Sequence, residues 1–317
     1  MYSQKQISTP VLFLVFNRID ATTLAFEAIR KVKPKKLYIA ADGPRLHNDL
    51  DIKKVAKVRK IATSVNWPCE VKTLFRKSNL GVKHAPIEAI TWFFKHEEKG
   101  IILEDDCVPH SNFFKFCEIL LNHYHNDIRI FTISGTNIKS SVGRGNETYH
   151  FSKYFHPWGW ATWRRVWDCY EDGISFWPKW KISEDWTNKL PIKAEQEIFR
   201  KIFDREYSNK RQDWGYRFMA CVLKNGGLTA RANVNLVNNI GFGKESTNSI
   251  KDDGKLTYNP SQKIISNRII HPKKVVQNRF KDSHFFFTLF DDKNIRFPWK
   301  FLNLPMRTLR YILRRFK

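Results

Sequence analysis

Acidic residues are scarce in this chain. Its 317 residues include 31 Asp and Glu against 55 Lys and Arg, a formal net charge of +24. That imbalance calls for a polyanionic partner, and nucleic acid, an anionic membrane surface and a phosphate-bearing substrate all qualify. Cysteine is sparse and odd in number. Five residues, Cys69, Cys107, Cys117, Cys169 and Cys221, with no C-x-x-C pair and no zinc-like spacing, indicate neither a disulfide framework nor a structural zinc site, so a reducing compartment is expected. Long apolar runs are missing as well. No stretch approaches the ~18 uncharged apolar residues of a membrane span, and Met1 to Pro10 lacks the apolar core of a signal peptide. The expected location is cytoplasmic. What is present, 42% hydrophobic and 15% aromatic residues, excludes disorder and suits one large domain with a small appendage or two modest ones.

The first half reads as alternating strands and helices. Val11 to Phe16 is an apolar strand, followed by a helix opening at Asp20 as N-cap and running to about Val32. Lys36 to Ala41 is a second strand ending at the turn Asp42-Gly43-Pro44, and a helix follows over Leu50 to Thr63. Glu70 to Phe75 is a third strand, and Lys83 to His96 a helix with Pro86 in its first turn. A helix over about Asn112 to His123 and a strand at Ile128 to Ile133 come later. This alternation predicts βαβ units and an α/β, Rossmann-like fold with a mostly parallel central sheet flanked by helices.

The most informative stretch is Gly100 to Cys107. A short apolar run reads as a buried central strand, and it ends in three consecutive carboxylates, Glu104, Asp105 and Asp106. Ligands in open α/β sheets sit beyond the carboxyl ends of such strands. Carboxylates there suit Mg²⁺ or Mn²⁺ carrying a substrate diphosphate. A solvated turn capping the next helix is the alternative.

The second half is aromatic. His156 to Arg165 packs three tryptophans and a histidine into ten residues, a density that suits sugar faces but is also that of an ordinary core. Asp213 opens a helix that stops at Asn225-Gly226-Gly227, and Leu228 to Val237 reads as a strand. Between Lys293 and Lys317 lie eight basic residues and no acidic one, with apolar and basic side chains on opposite faces of a helix placed after Pro305. That pattern fits a membrane-surface helix, or a terminal helix docked on the protein's own core.

The ordered set Pro10 to Arg18, Ala41-Asp42-Gly43, Ile101 to Asp106, His156 to Arg165, Asp213-Trp214 and Asn239 to Gly243 resembles bacterial nucleotide-diphospho-sugar transferases of the GT-A fold. More closely, it resembles the bacterial, hemolytic-protein-like relatives of N-acetylglucosaminyltransferase I. The resemblance covers roughly residues 10 to 250. It implies a GT-A domain over 1–255, with a nucleotide-binding half at about 1–135 and an acceptor-binding half at about 136–255. Residues 256–317 form a basic aromatic extension, with the surface helix at 305–317. By the same resemblance Asp106 is the metal ligand for Mn²⁺ (or Mg²⁺), Asp105 a ribose contact and Glu104 a neighbour of the donor sugar. Arg18 and Asp42 contact the nucleotide, Asp42 reading uracil. His84, or its neighbour Lys83, does so from the helix before the carboxylate strand. Trp158 and Trp160 shape the donor-sugar pocket, and Asp213 is the catalytic base.

The chemistry of glycosyl transfer asks for the same separation. A metal ion neutralises the leaving diphosphate, and one carboxylate from another segment takes the acceptor's proton. Asp213 can equally be a helix N-cap, and Asp42 a turn-forming residue before Gly-Pro. One departure from the family stands at Ser246-Thr247-Asn248-Ser249, where Asn248 replaces the usual histidine and cannot act as a cation. The expectation is a metal-dependent, inverting glycosyltransferase. It would use a UDP-sugar donor and a glycan or lipid-linked glycan acceptor, with the tail on the anionic inner face of the cell membrane and no nucleic acid. The competing readings are a nucleic-acid-binding protein using the basic surface and the aromatics, and a non-catalytic sugar-binding protein.

Overall fold

A computed structural model describes residues 6–137, 146–210, 213–241 and 269–290. The chain runs β1 (Val11–Val15), α1 (Ile19–Val32), β2 (Lys36–Ala41), α2 (Asp49–Ala62), β3 (Glu70–Phe75), α3 (Gly81–His96), β4 (Lys99–Glu104), β5 (Cys107–Pro109), α4 (Ser111–His123) and β6 (Ile130–Ser134). It continues through β7 (Tyr149–Ser152), β8 (Trp160–Trp163), α5 (Arg164–Trp167), α6 (Trp177–Trp180), α7 (Glu184–Lys189), α8 (Lys193–Tyr207), α9 (Trp214–Lys224), β9 (Leu228–Ala232), β10 (Val237–Asn239) and α10 (Arg279–Leu289).

Eight strands form one sheet in the order β3-β2-β1-β4-β8-β6-β9-β7. Six run in one direction; β8 and β7 oppose them. The protein is thus α/β, with a mostly parallel central sheet flanked by helices. From β1 the chain steps outward to β2 and β3, then returns to place β4 on the other side of β1. The crevice between β1 and β4 is therefore the point where strand order reverses, and ligands bind there in sheets of this kind. Val11, Leu12 and Phe13 of β1 and Ile101, Ile102 and Leu103 of β4 are all buried, as strands covered on both faces must be. Beside the main sheet, β5 and β10 make a short antiparallel ribbon pairing Cys107 with Asn239.

Local chemistry explains the element ends. Asn48, not foreseen, caps α2 by accepting from the Asp51 N–H at 3.0 Å. α1 begins at Ile19 without a side-chain cap, so Asp20 is not the N-cap but lies in the first turn, where its charge favours the helix dipole. Pro86 is the sixth residue of α3, in the second turn rather than the first, and deprives Val82 of its i+4 donor. The expected strand from Leu228 to Val237 is two: the ladder with β6 and β7 ends at Ala232, and β10 starts at Val237 to pair with β5.

A second cluster, containing Trp177, Trp180, Trp186, Phe199 and Phe203, packs beside the sheet core and takes in Phe286 of α10. Among the described residues no helix is long and apolar enough to cross a membrane. The expected surface helix at 305–317, and Asn248, lie outside the described residues.

Candidate functional site

A cavity of about 660 Å³ opens at the carboxyl ends of β1, β2 and β4. That size is typical of a small-ligand site. Its floor is the end of β4, with Glu104, Asp105 and Asp106 all lining it. One wall is the face of α3 carrying Val82, Ala85, Pro86 and Ala89, small apolar residues at helical spacing. Opposite lie Phe16, Asn17 and the first turns of α2. Arg18, Arg45, Lys54 and Arg76 bring positive charge to the lining, and Trp158, Asn239 and Gly241 complete it.

The carboxylates are held tightly. Arg18 occupies the cap position of α1, in extended backbone, and its side chain reaches Asp106 Oδ2 at 2.6 Å and Asp105 Oδ1 at 3.5 Å. Asp105 Oδ2 also accepts from the Phe16 N–H at 3.2 Å. Burial works to lower the pKa of Arg18, but Asp105, Asp106 and Glu104 outweigh it and the net shift is upward. One guanidinium does not balance the acids. Burial, then the charges of Asp106, Asp105 and Asp213, drive Glu104 well above the ordinary carboxylate range, with Arg18 opposing. Asp105 is pushed to about 7 by burial and Asp106, against Arg18 and the Phe16 N–H. Proton uptake or a cation relieves such a surplus.

The ribbon of β5 and β10 closes over this cluster. The Ile240 N–H donates to the Asp106 carbonyl at 2.8 Å, and the Gly241 N–H to Asn239 Oδ1 at 2.8 Å. A β-carbon at Gly241 would overlap the Asp106 carboxylate, so any larger residue there must push that side chain aside.

The donor set fits a hard divalent cation. Among the described residues no group of three His, Cys, Asp or Glu side chains makes a preformed metal cage. Mg²⁺ and Mn²⁺ do not require one: one or two carboxylates, waters and substrate phosphates suffice. Asp106 and Asp105 supply such oxygens at the cavity floor.

Asp213 comes from a separate segment. It caps α9, its Oδ1 accepting from Gly215 N–H at 3.0 Å and Tyr216 N–H at 3.4 Å. Its backbone N–H donates to Glu206 at 3.2 Å, and the buried Glu206 is also bound by Arg217 Nε at 3.0 Å. Asp213 is half-buried, outside the cavity lining, yet its charge is felt at Glu104.

Other expected site residues sit differently. Asp42 lines the cavity, but its oxygens accept from the N–H groups of Gly43, Leu80 and Gly81 and from Asn79 Nδ2, at 2.8 to 3.2 Å. It joins the end of β2 to the start of α3. Gly43 packs against the Ser78 backbone at the same junction, leaving no room for a β-carbon. Neither Lys83 nor His84 lines the cavity. Lys83 is buried against Asp172, 2.9 Å away, and His84 is exposed, because the wall face of α3 belongs to Val82 and Ala85. Trp160 is likewise no pocket residue. It is fully buried in β8, 5.9 Å from the Trp214 ring and 5.4 Å from Phe218, and so seats the helix that Asp213 caps. Trp158 does reach the lining, in a turn where the His156 ring lies edge-on at 4.4 Å.

The residues missed in the sequence are Arg45, Lys54 and Arg76. The signal was available for Arg45 and Arg76, which follow the carboxyl ends of β2 and β3.

No protein-family profile matches this chain, and no curated protein does. Solved structures with similarity include the inositol-1-phosphate CTP transferase from T. maritima, at 8% identity and TM-score 0.36, covering 72% of this chain and 86% of that one. The 4-diphosphocytidyl-2C-methyl-D-erythritol synthase from Anaerococcus prevotii is similar at 7% identity and TM-score 0.31, with coverage of 56% and 78%. UDP-glucose pyrophosphorylase complexed with UDP-glucose follows at 9% identity and TM-score 0.30, with coverage of 51% and 79%. Likeness this slight carries no weight for function.

Proposed function

We propose that this chain is a metal-dependent glycosyltransferase that moves a sugar from a UDP-sugar to a glycan hydroxyl, with inversion. The observation that supports it most is the Glu104-Asp105-Asp106 cluster at the floor of the cavity, with its surplus negative charge and with Asp213 nearby on a different segment.

Asp106 and Asp105 would hold Mn²⁺ or Mg²⁺, which when bound neutralises charge on the leaving diphosphate. The cations lining the cavity, Arg18, Arg45, Lys54 and Arg76, favour the polyphosphate, and the apolar wall of α3 suits a flat base. Asp213 would take the acceptor hydroxyl's proton while that oxygen bonds to the anomeric carbon and the bond to the diphosphate oxygen breaks. Nucleoside diphosphate leaves with that bonding electron pair.

Calorimetric titration with a panel of UDP-sugars, with and without Mn²⁺, tests the reading beside Asp106→Asn. Micromolar binding that requires both the ion and Asp106 is expected. Absence of nucleotide binding under every condition, by protein with an unchanged circular dichroism spectrum, would refute it.

A further inference from the structure

Residues 269–290 leave the far edge of the sheet with an unusual outer face. Four large apolar side chains there are open to solvent: Phe280 is 70% exposed, Val276 63%, Ile270 44% and Phe287 42%. Phe280 and Phe287 stand seven residues apart on α10, hence on one side of that helix. Within the segment the exposed charges are basic, while Glu147 stands exposed beside Ile270. Lys273, Lys274 and Arg279 are exposed, whereas the single acid of the segment, Asp282, is turned inward and 2% exposed. Its carboxylate accepts from Ser152 Oγ at 2.6 Å, Lys153 N–H at 3.1 Å and Gln277 Nε2 at 2.8 Å.

A second feature adjoins this face. An open groove of about 570 Å³ runs between the end of α4 and residues 272–276, lined by His123, Asp127, Arg129, Lys273, Lys274 and Val276 among others, with Arg129 paired to Asp127 at 2.7 Å. The ring of His123 in its lining stacks on His271 at 4.0 Å. Beyond residue 290 the sequence goes on to the stretch with eight basic residues and no acidic one.

We infer that the face of residues 269–290 docks on an anionic lipid surface. Phe280, Phe287 and Val276 enter the acyl boundary, and the exposed Lys273, Lys274 and Arg279 meet the phosphate headgroups. Exposed apolar side chains ringed by cations are the two components of interfacial binding, area burial and attraction to anionic lipid. A second copy of the chain fits less well, because two such faces carry like charge. The inference does not depend on the transferase reading. α10 packs on β7, four strands from β4, which sets the face about 19 Å across the sheet from the carboxylates.

The test is flotation of the full chain with vesicles of phosphatidylcholine alone and of phosphatidylcholine containing phosphatidylglycerol. Wild type should bind only the anionic vesicles. The Phe280→Ser/Phe287→Ser double variant should bind them about tenfold or more weakly, and Lys273→Glu/Lys274→Glu should weaken binding while flattening its salt dependence. All chains keep residues 291–317, so any contribution from that stretch is common to them. The four positions are exposed, and circular dichroism checks that the variants fold. Equal binding by wild type and the Phe280/Phe287 variant would overturn the inference. So would vesicle binding abolished by single-stranded RNA yet unaffected by the Phe280/Phe287 change, which would assign the face to nucleic acid.

Discussion

Gly241 lies against the carboxylate of Asp106 so closely that a β-carbon there would overlap Oδ2. The two residues meet because Asn239 pairs with Cys107 across the β5–β10 ribbon, carrying the backbone of 240–241 over the end of β4. Gly241→Ala should therefore displace the Asp106 carboxylate and, on the transferase reading, weaken Mn²⁺-dependent nucleotide binding about tenfold or more, as read by calorimetry. Gly173, where a β-carbon meets nothing within 4 Å, supplies the control: Gly173→Ala should leave that binding unchanged.

Asp42 predicts a loss of stability. Its carboxylate satisfies three backbone N–H groups and Asn79 at the junction of β2 and α3. Removing it leaves those donors unpaired near the core, and Asp42→Ala should lower unfolding free energy by about 2–3 kcal/mol in denaturant titration. Asp42→Asn, which keeps one acceptor oxygen, should lose less.

Lys83 separates packing from binding. Its side chain is 9% exposed and its ammonium pairs with the more open Asp172, which also receives Arg217 Nη1 at 3.1 Å. Lys83→Met should lower stability by about 1–3 kcal/mol while leaving nucleotide affinity within about threefold. A larger loss of affinity would mean that Lys83 swings into the cavity.

Two buried histidines predict an acid dependence. Burial, then the charge of Arg231, depresses both His150 and His156 to about 3 from the usual 6.5. A folded-state pKa below the unfolded one means that the contribution is complete above about pH 6.5. It is lost progressively as pH falls towards 3, by up to about 1.4 kcal/mol per pH unit for each ring. The neutral His150 bonds Asn233 Oδ1 through Nδ1 at 2.8 Å, and His150→Asn should make the unfolding free energy fall less steeply between those limits than in wild type.

Asp213→Asn should keep most of the α9 cap, since asparagine also accepts at that position. On the transferase reading it should lower turnover by about 10²–10⁴-fold, measured as release of nucleoside diphosphate, with donor affinity nearly unchanged. Similar turnover in both proteins would remove Asp213 from the chemistry.

The parallel half of the sheet was legible because β1 and β2 are largely apolar runs bounded by turn residues and helix, as is β4 up to its acids, and β3 alternates at the edge. Lys36–Ala41 and Glu70–Phe75 have the expected bounds. Glu104 to Asp106 were legible for an electrostatic reason, since three charges after a buried run need compensation. The cavity wall was not, because it is made of alanine, valine and proline, which draw no attention beside the neighbouring Lys83 and His84. Helical phase decides between those faces, and phase depends on contacts that sequence leaves open. Trp160 was misplaced for a related reason. An indole on a strand between β4 and β6 and an indole on a sugar platform have the same sequence signature, and only the antiparallel insertion of β8 assigns it to the core.

The β5–β10 ribbon joins segments about 130 residues apart in sequence, immediately beside the acids of β4. Closing so long a loop comes late in folding, after the local βαβ contacts of the first half. A chain emerging from the ribosome would thus carry the walls of its cavity long before it carried the cover over Asp106.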